Sequence, residues 1–327
     1  MKKYNIAIVG ATGLVGSKCI LLLEEYKIPI NKLFLYASKK SVGIKIKVNN
    51  QYYEVKEIKE EDFDEIDFVL MAAGNEVSKK YGLLFEQKGC IVIDNSSFFR
   101  MEKDIPLVVP EINYSAIDLT KRRIIANPNC ATIQAVVCLN QIKNVYTLKK
   151  VIYNTYQAVS GSGMKGIFDY QSALEGFPKE FYPFDITKTC IPFIGELTNN
   201  GFTSEEIKMI NETKKILALP SLEVIANCVR VPVLNCHGVS VYVETNEEVD
   251  INKIIDSFNN EKSIIYLNED IPNGVICDSQ DKIFVGRLRK CNNNSVIFYC
   301  VGDNIRKGAA ANALQILSKI IYEKEKI

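Results

Sequence analysis

Cys130 lies in the run Asn127-Pro128-Asn129-Cys130-Ala131-Thr132, where Arg123 to Ala126 reads as a strand and Ala131 to Ile142 as a helix. A cysteine at a helix start meets unpaired backbone N–H groups and the positive end of the helix dipole. Both favour thiolate over thiol and make the sulfur a nucleophile. The single histidine, His237, is the natural group to take a thiol proton and return one near neutral pH. Spacing does not decide whether the two meet. More than a hundred residues separate them, and Pro232 and Asn235 interrupt the strand before His237, so alternation cannot say whether Arg230 and His237 share a face.

A second kind of chemistry is written at the N-terminus. Ile6 to Val9 runs into Gly10-Ala11-Thr12-Gly13-Leu14-Val15-Gly16 and then into an amphipathic helix. Glycines at a strand-to-helix turn let the backbone approach a pyrophosphate, whose charge sits against the N–H groups of the helix start. An NAD site usually ends its second strand with a carboxylate for the ribose 2′-OH. No carboxylate occurs between Glu25 and Glu54, and the strand end reads Ala37-Ser38-Lys39-Lys40. A hydroxyl and ammonium groups there suit a 2′-phosphate, so NADP is expected over NAD.

The elements that must position these groups follow from periodicity. Strand-length apolar runs (Tyr4 to Val9, Lys32 to Ala37, Asp67 to Ala72, Cys90 to Asp94) alternate with helical stretches (Leu14 to Tyr26, Val77 to Gln87). This is the rhythm of a parallel sheet covered by helices. Ile44 to Val48 and Tyr52 to Ile58 alternate apolar and polar residues and read as a solvated antiparallel hairpin inserted in that sheet. Beyond Asn129 the strands lengthen (Lys150 to Val159, Glu223 to Val233, Gly238 to Thr245), and helices fall between them irregularly. The fold class expected is α/β: a Rossmann-type dinucleotide-binding domain over 1–129 with 307–327, and a mixed α+β catalytic and dimerisation domain over 130–306. The alanine-rich stretch Lys307 to Ile320 reads as a last helix returning to the nucleotide domain.

Composition removes other classes. At 327 residues the chain exceeds one ordinary domain, and 40 basic residues against 39 acidic leave no block able to track nucleic acid or coat a bilayer. The N-terminal apolar run ends at Gly10, too short to span a membrane, and no cleavage site follows it. Ten scattered cysteines with no CxxC pair, and one histidine, point to reduced thiols in a cytoplasmic protein with no metal site. Most of these thiols read as small buried hydrophobes.

Together these pieces resemble the aspartate-semialdehyde dehydrogenase family. GATGLVG at 10–16, SSFFR at 96–100, NPNCAT at 127–132, YQAVSGSG at 156–163, EEIKMINETKKIL at 205–217, RVPVLNCH at 230–237 and DNIRKGAAA at 303–311 stand in the family's order. The resemblance implies Cys130 as nucleophile, Gln157 as the residue that positions it, and His237 as acid/base. It implies Arg230 for a substrate α-carboxylate, Arg100, Asn129 and Lys208 for phosphate, and Glu205 for an amino nitrogen. Read from the residues alone, Glu205 and Lys208 are an exposed helical ion pair. Cofactor contacts are implied at Thr12, Gly13, Leu14, Val15, Ser38, Ser160, Gly161, Gly163 and Asn304, and the glycine turn and the strand end add Gly10 and Lys39 to them. Lys39-Lys40 stand where the family often has arginine, and Asn235-Cys236 before the histidine is a departure that touches no catalytic group.

The activity implied is reductive dephosphorylation of L-4-aspartyl phosphate through a Cys130 thioester, with backbone N–H groups at the Cys130 helix stabilising the oxyanion. A homodimer, or a dimer of dimers, is implied. Two other readings compete: an N-acetyl-γ-glutamyl-phosphate reductase, against which Glu205 argues because an acetylated nitrogen carries no charge, and a catalytically silent NADP-binding relative.

Overall fold

A computed structural model describes residues 2–177 and 180–324. The chain divides into two compact units, Met1–Pro128 with Ala309–Ile327 and Asn129–Gly308. Met1 and 325–327, the outer ends of the range expected for the nucleotide domain, lie outside the described residues.

The first unit carries a seven-stranded sheet. Its strands are β1 (Tyr4–Val9), β2 (Ile30–Tyr36), β3 (Lys45–Val48), β4 (Gln51–Lys56), β5 (Phe68–Met71), β6 (Ile91–Asp94) and β7 (Ile124–Ala126), in the order β3-β4-β2-β1-β5-β6-β7. All pairings are parallel except the β3–β4 hairpin. The hairpin expected from alternation is therefore present, and it extends the sheet by pairing β4 with β2. Helices α1 (Leu14–Glu25) and α2 (Asn75–Gln87) are the first two of the fold. Strands β5 and β6 are buried at every position, as expected of strands covered on both faces. Ile6 and Ile8 of β1 and Leu22 and Leu23 of α1 pack in one core with Leu314, Leu317 and Ile321 near the C-terminus. Each such side chain contributes roughly 1.5–3 kcal/mol by leaving water.

The opening glycine turn fits a dinucleotide. Gly10 has φ +87°, and a Cβ there would stand 2.7 Å from the Ala72 carbonyl oxygen; one at Gly16 would run into the Gly10 carbonyl. Only glycine lets β1 turn into α1 this tightly. Gly13 caps α1 without any side-chain hydrogen bond, which leaves the helix start without a side-chain acceptor.

The second unit carries a mixed six-stranded sheet. It contains α3 (Cys130–Lys143), β8 (Leu148–Gln157), α4 (Gly163–Leu174), α5 (Ser204–Leu217), β9 (Glu223–Arg230), β10 (His237–Thr245), α6 (Ile251–Asn260), β11 (Ile264–Leu267), α7 (Gly274–Cys277), β12 (Ile283–Asn292) and β13 (Ser295–Gly302). The strand order is β11-β12-β13-β10-β8-β9. β8 runs parallel to β9 and antiparallel to β10. α3 packs on β8, β10 and β13, and α5 packs on both β9 and α3.

Several boundaries differ from the sequence expectation by a few residues, and two of these differences bear on the site. β9 ends at Arg230 rather than Val233, because Pro232 has no N–H to give a ladder and the chain turns, with Val233 N–H bonding the Val231 carbonyl. The last helix does not begin at Lys307: a π turn occupies Arg306–Ala310, and the α-helix α8 runs Ala311–Lys324. A wide turn of this kind often marks a functional site, and it contains Gly308, whose place is described below.

Candidate active site

Strand pairing in the second unit assembles what spacing left open. Parallel register sets Gln157, last in β8, beside Arg230, last in β9. Antiparallel register sets Gly238 opposite Tyr156, so His237 opens β10 at the same end of the sheet. Gln157, Arg230 and His237 are respectively 1%, 4% and 0% exposed. A Cβ at Gly161 would stand 2.6 Å from Arg230 Nη1 and 3.0 Å from His237 Nε2, so both side chains converge on a space that only glycine leaves open. Gly161, implied as a cofactor contact, thus also makes room for Arg230 and His237.

Cys130 begins α3 and is partly exposed. Asn129 caps the helix: its Oδ1 accepts from Ala131 N–H at 2.9 Å and Thr132 N–H at 3.2 Å, and its main-chain carbonyl accepts from Ile133 N–H. Those N–H groups are already engaged, so the expected oxyanion role of the helix start is not available to them. The Asn129 amide nitrogen donates to Glu205 Oε1 at 2.8 Å, Gln157 Nε2 donates to the same oxygen at 3.3 Å, and Lys208 Nζ lies 3.1 Å from Oε2. The Glu205–Lys208 pair is therefore not the exposed one read from the residues alone, because Glu205 is 6% exposed. Burial by itself would raise its pKa, but Lys208, the Asn129 amide and Arg230 outweigh it and hold the carboxyl below its usual range. Gly308 completes the packing, since a Cβ there would stand 2.9 Å from Cys130 Cβ.

His237 does not titrate near neutrality as expected. Burial, and then the nearby Arg230 charge, push its pKa down to about 3. Ala158 N–H donates to Nδ1 at 3.0 Å, which places the ring hydrogen of the neutral form on Nε2. That buried Nε2 has no hydrogen-bond partner. A buried donor without a partner is costly, and it is what a site looks like when its acceptor arrives with a substrate. Since the folded-state pKa is depressed below the ordinary 6.5, neutral His237 contributes stability above pH 6.5 that is lost as pH falls towards 3. His237→Gln is expected to flatten this acid loss, read as urea midpoints of both proteins between pH 7 and 4.5. Parallel slopes would show that His237 is not the group charged.

Asn304 ties a second cluster: its Nδ2 donates to Ser160 Oγ at 2.9 Å, and its Oδ1 accepts from Cys236 N–H at 2.9 Å. Ser160 Oγ also donates to Asn235 Oδ1 at 3.1 Å. Asn235 and Cys236 thus touch the implied cofactor residues Ser160 and Asn304 directly. Gly163 opens α4 with φ +74°.

The remaining expected residues belong to the first unit. Leu14 and Val15 form the first turn of α1, and Thr12 Oγ1 donates to Ser41 Oγ at 3.1 Å. Ser38 precedes a single turn at Lys39–Ser41; Lys39 is exposed and only 4.0 Å from Glu57, a carboxylate brought there by β4 that local reading did not consider. Arg100 is buried, with Nη2 donating to the Asn95 carbonyl at 2.9 Å. Among the described residues no group of three or more His, Cys, Asp or Glu side chains could hold a metal, and no helix is long and apolar enough to cross a membrane. Seven of the ten cysteines are buried; Cys190 and Cys291 are exposed.

Comparison with known proteins bears on the family and the fold. The family model described as semialdehyde dehydrogenase, NAD binding domain, matches residues 5–120, and the one described as semialdehyde dehydrogenase, dimerisation domain, matches 139–307. The chain is 40% identical to the aspartate-semialdehyde dehydrogenase of Aquifex aeolicus over 98% of both chains, and 40% identical to aspartate-semialdehyde dehydrogenase 2 of Vibrio cholerae over 98% of this chain and 99% of that one. A crystal structure of aspartate semialdehyde dehydrogenase II from Vibrio cholerae, complexed with ASA, superposes with a TM-score of 0.95 at 38% identity, covering 98% and 99% of the two chains. Two family models that together match most of the chain, and relatives 40% identical over nearly all of it, place this oxidoreductase in the aspartate-semialdehyde dehydrogenase family.

Proposed function

We propose that the protein is an NADP-dependent aspartate-semialdehyde dehydrogenase that reduces L-4-aspartyl phosphate to L-aspartate 4-semialdehyde and phosphate, serving lysine, threonine and methionine biosynthesis in the cytoplasm. The observation that carries the reading is the meeting, at one sheet end, of Arg230, the hydrogen-bearing Nε2 of His237 and the Gln157–Glu205–Asn129 chain that leads to Cys130.

In this reading Cys130 thiolate attacks the acyl carbon and phosphate leaves, its charge met by Arg100, Lys208 and the Asn129 amide. The planar guanidinium of Arg230 binds the substrate α-carboxylate, and ionised Glu205 receives the ammonium group, as its lowered pKa allows. The glycine turn, Thr12, Gly13, Leu14, Val15, Ser38, Lys39, Ser160, Gly161, Gly163 and Asn304 are the residues that would hold NADPH, which would supply the hydride for reduction of the thioester. His237, neutral at working pH, donates its Nε2 hydrogen to the oxyanion that forms at the carbonyl. A neutral imidazole donor of this kind stabilises developing charge without a proton changing owner. Collapse then returns Cys130 as thiolate, so no acid is needed on the sulfur. Lys39, whose side chain is 83% exposed, supports the choice of NADP over NAD by offering an ammonium group to a 2′-phosphate. The second unit, 130–306 by this assignment, also forms a homodimer or dimer of dimers; Tyr156 and Ile225 lie exposed on the sheet face such a contact would cover.

Purified protein given L-aspartate 4-semialdehyde, phosphate and NADP is expected to reduce NADP, with at least about tenfold lower kcat/KM for NAD. N-acetylglutamate semialdehyde is expected to give no turnover, because Glu205 would face an uncharged amide. Turnover of the acetylated substrate in preference would overturn the assignment, and tight NADP binding with no turnover of either would mark a silent relative.

A further inference from the structure

We propose that Glu212 is a positioning residue for Cys130, fixing the turn from which the sulfur projects; this rests on the reading of Cys130 as nucleophile. Glu212 lies two turns along α5 from Glu205, is 1% exposed, and its Oε2 accepts the main-chain N–H of Asn129 at 2.7 Å. Asn129 is the residue immediately before Cys130 and the cap of its helix. Four hydrogen bonds therefore fix one residue: the Glu212 carboxylate holds its backbone nitrogen, the Glu205 carboxylate holds its side-chain nitrogen, and its side-chain oxygen accepts two N–H groups of the first turn of α3. With its amide plane and its side chain both set, Asn129 leaves the Cys130 Cα little freedom.

The helix doing the holding is itself anchored. Glu205, Met209 and Glu212 are spaced four and three residues apart and so share one face of α5, and that face meets the start of α3, where Thr132 Oγ1 lies 3.3 Å from Met209 Sδ. On other sides, Thr213 Oγ1 bonds Tyr153 of β8 at 3.0 Å and Glu206 accepts Cys228 N–H of β9 at 3.2 Å. A buried backbone donor that loses its acceptor bears its full desolvation cost, and nucleophile placement to within a fraction of an ångström is what sets the rate of attack.

The test compares two buried carboxylates of one helix that both accept backbone N–H groups: Glu212, at the nucleophile, and Glu206, away from it. Alkylation of Cys130 by iodoacetamide is read on its own peptide by mass spectrometry, with exposed Cys190 as internal reference. Glu212→Ala is expected to slow Cys130 labelling about tenfold relative to Cys190, and to lower kcat about tenfold with KM changed less than about twofold. Glu206→Ala should lower Tm comparably while leaving both readouts within about twofold. Glu212→Gln, which keeps an acceptor oxygen in place, should stay within about threefold of wild type. Should Glu212→Ala fail to fold, Glu212→Asp against Glu212→Gln decides: the shorter side chain keeps the carboxyl group but withdraws the acceptor oxygen, and should fall about fivefold while Gln does not. Unchanged or faster labelling in Glu212→Ala or Glu212→Asp, or an equal loss in Glu206→Ala, overturns the proposal. Labelling needs no substrate, so an enzyme inert towards semialdehydes would sink the proposed activity and leave this comparison standing.

Discussion

Cys130→Ser is expected to lose phosphate-dependent semialdehyde oxidation by about 10³-fold or more while NADP affinity and Tm stay near wild type. The size of the effect comes from acidity. A thiol at a capped helix start ionises within a few units of neutral pH, whereas a serine hydroxyl in the same place does not, and the first chemical step needs an anion. NADP affinity should survive because Cys130 is not among the residues assigned to the cofactor, and the substitution leaves the glycine turn, Ser38–Lys39, Ser160–Gly163 and Asn304 unchanged. Stability should survive because Ser is nearly isosteric and Cys130 is not fully buried. Initial rates from NADPH absorbance, with NADP binding by calorimetry on the same sample, check both halves. Retention of more than about a tenth of the activity would remove the sulfur from the mechanism.

The two halves of the site differ in how far they can be read from the chain. The glycine turn is a local object: β1, Gly10 to Gly16 and α1 are contiguous, so strand, turn and helix signals reinforce one another, and the backbone clash at Gly10 confirms what the residue type suggests. The start of α3 is equally local, and there the structure adds a helix cap at Asn129 to the phosphate role that the resemblance implied. Arg230, His237 and Gln157 are another matter. They meet because β8 pairs parallel with β9 and antiparallel with β10, a register fixed by packing across long stretches of chain. No period in the sequence carries that information. Glu212 was invisible for a related reason: on helical spacing alone it reads as one more charged residue of an amphipathic helix, and only the burial of that face against α3 gives it an occupation. His237 shows that residue type can mislead about state. Imidazole suggests titration near neutrality, yet burial, Arg230 and one backbone N–H turn it into a neutral donor.

Gly161→Ala is expected to lower kcat/KM for the semialdehyde about 10²-fold, an effect out of proportion to one methyl group. The added Cβ would stand 2.6 Å from Arg230 Nη1, 2.9 Å from His237 Cε1 and 3.0 Å from Nε2, and real Cβ contacts are not that short. Something must move, and neither neighbour moves cheaply. Arg230 Nη1 already donates to the Ala158 carbonyl at 2.6 Å, and Ala158 N–H holds the His237 ring at Nδ1, so one residue anchors both. Displacing the guanidinium should raise KM through the lost carboxylate fork; displacing the ring should lower kcat through the misplaced Nε2 donor. A purely cofactor-contacting Gly161 predicts a different split, with KM for NADP raised and both semialdehyde parameters untouched. Saturation curves in each substrate separate the two cases. An alanine variant within about threefold of wild type in every parameter would mean that Arg230 and His237 can yield the space without loss, and that their fixed geometry is not what the reaction uses.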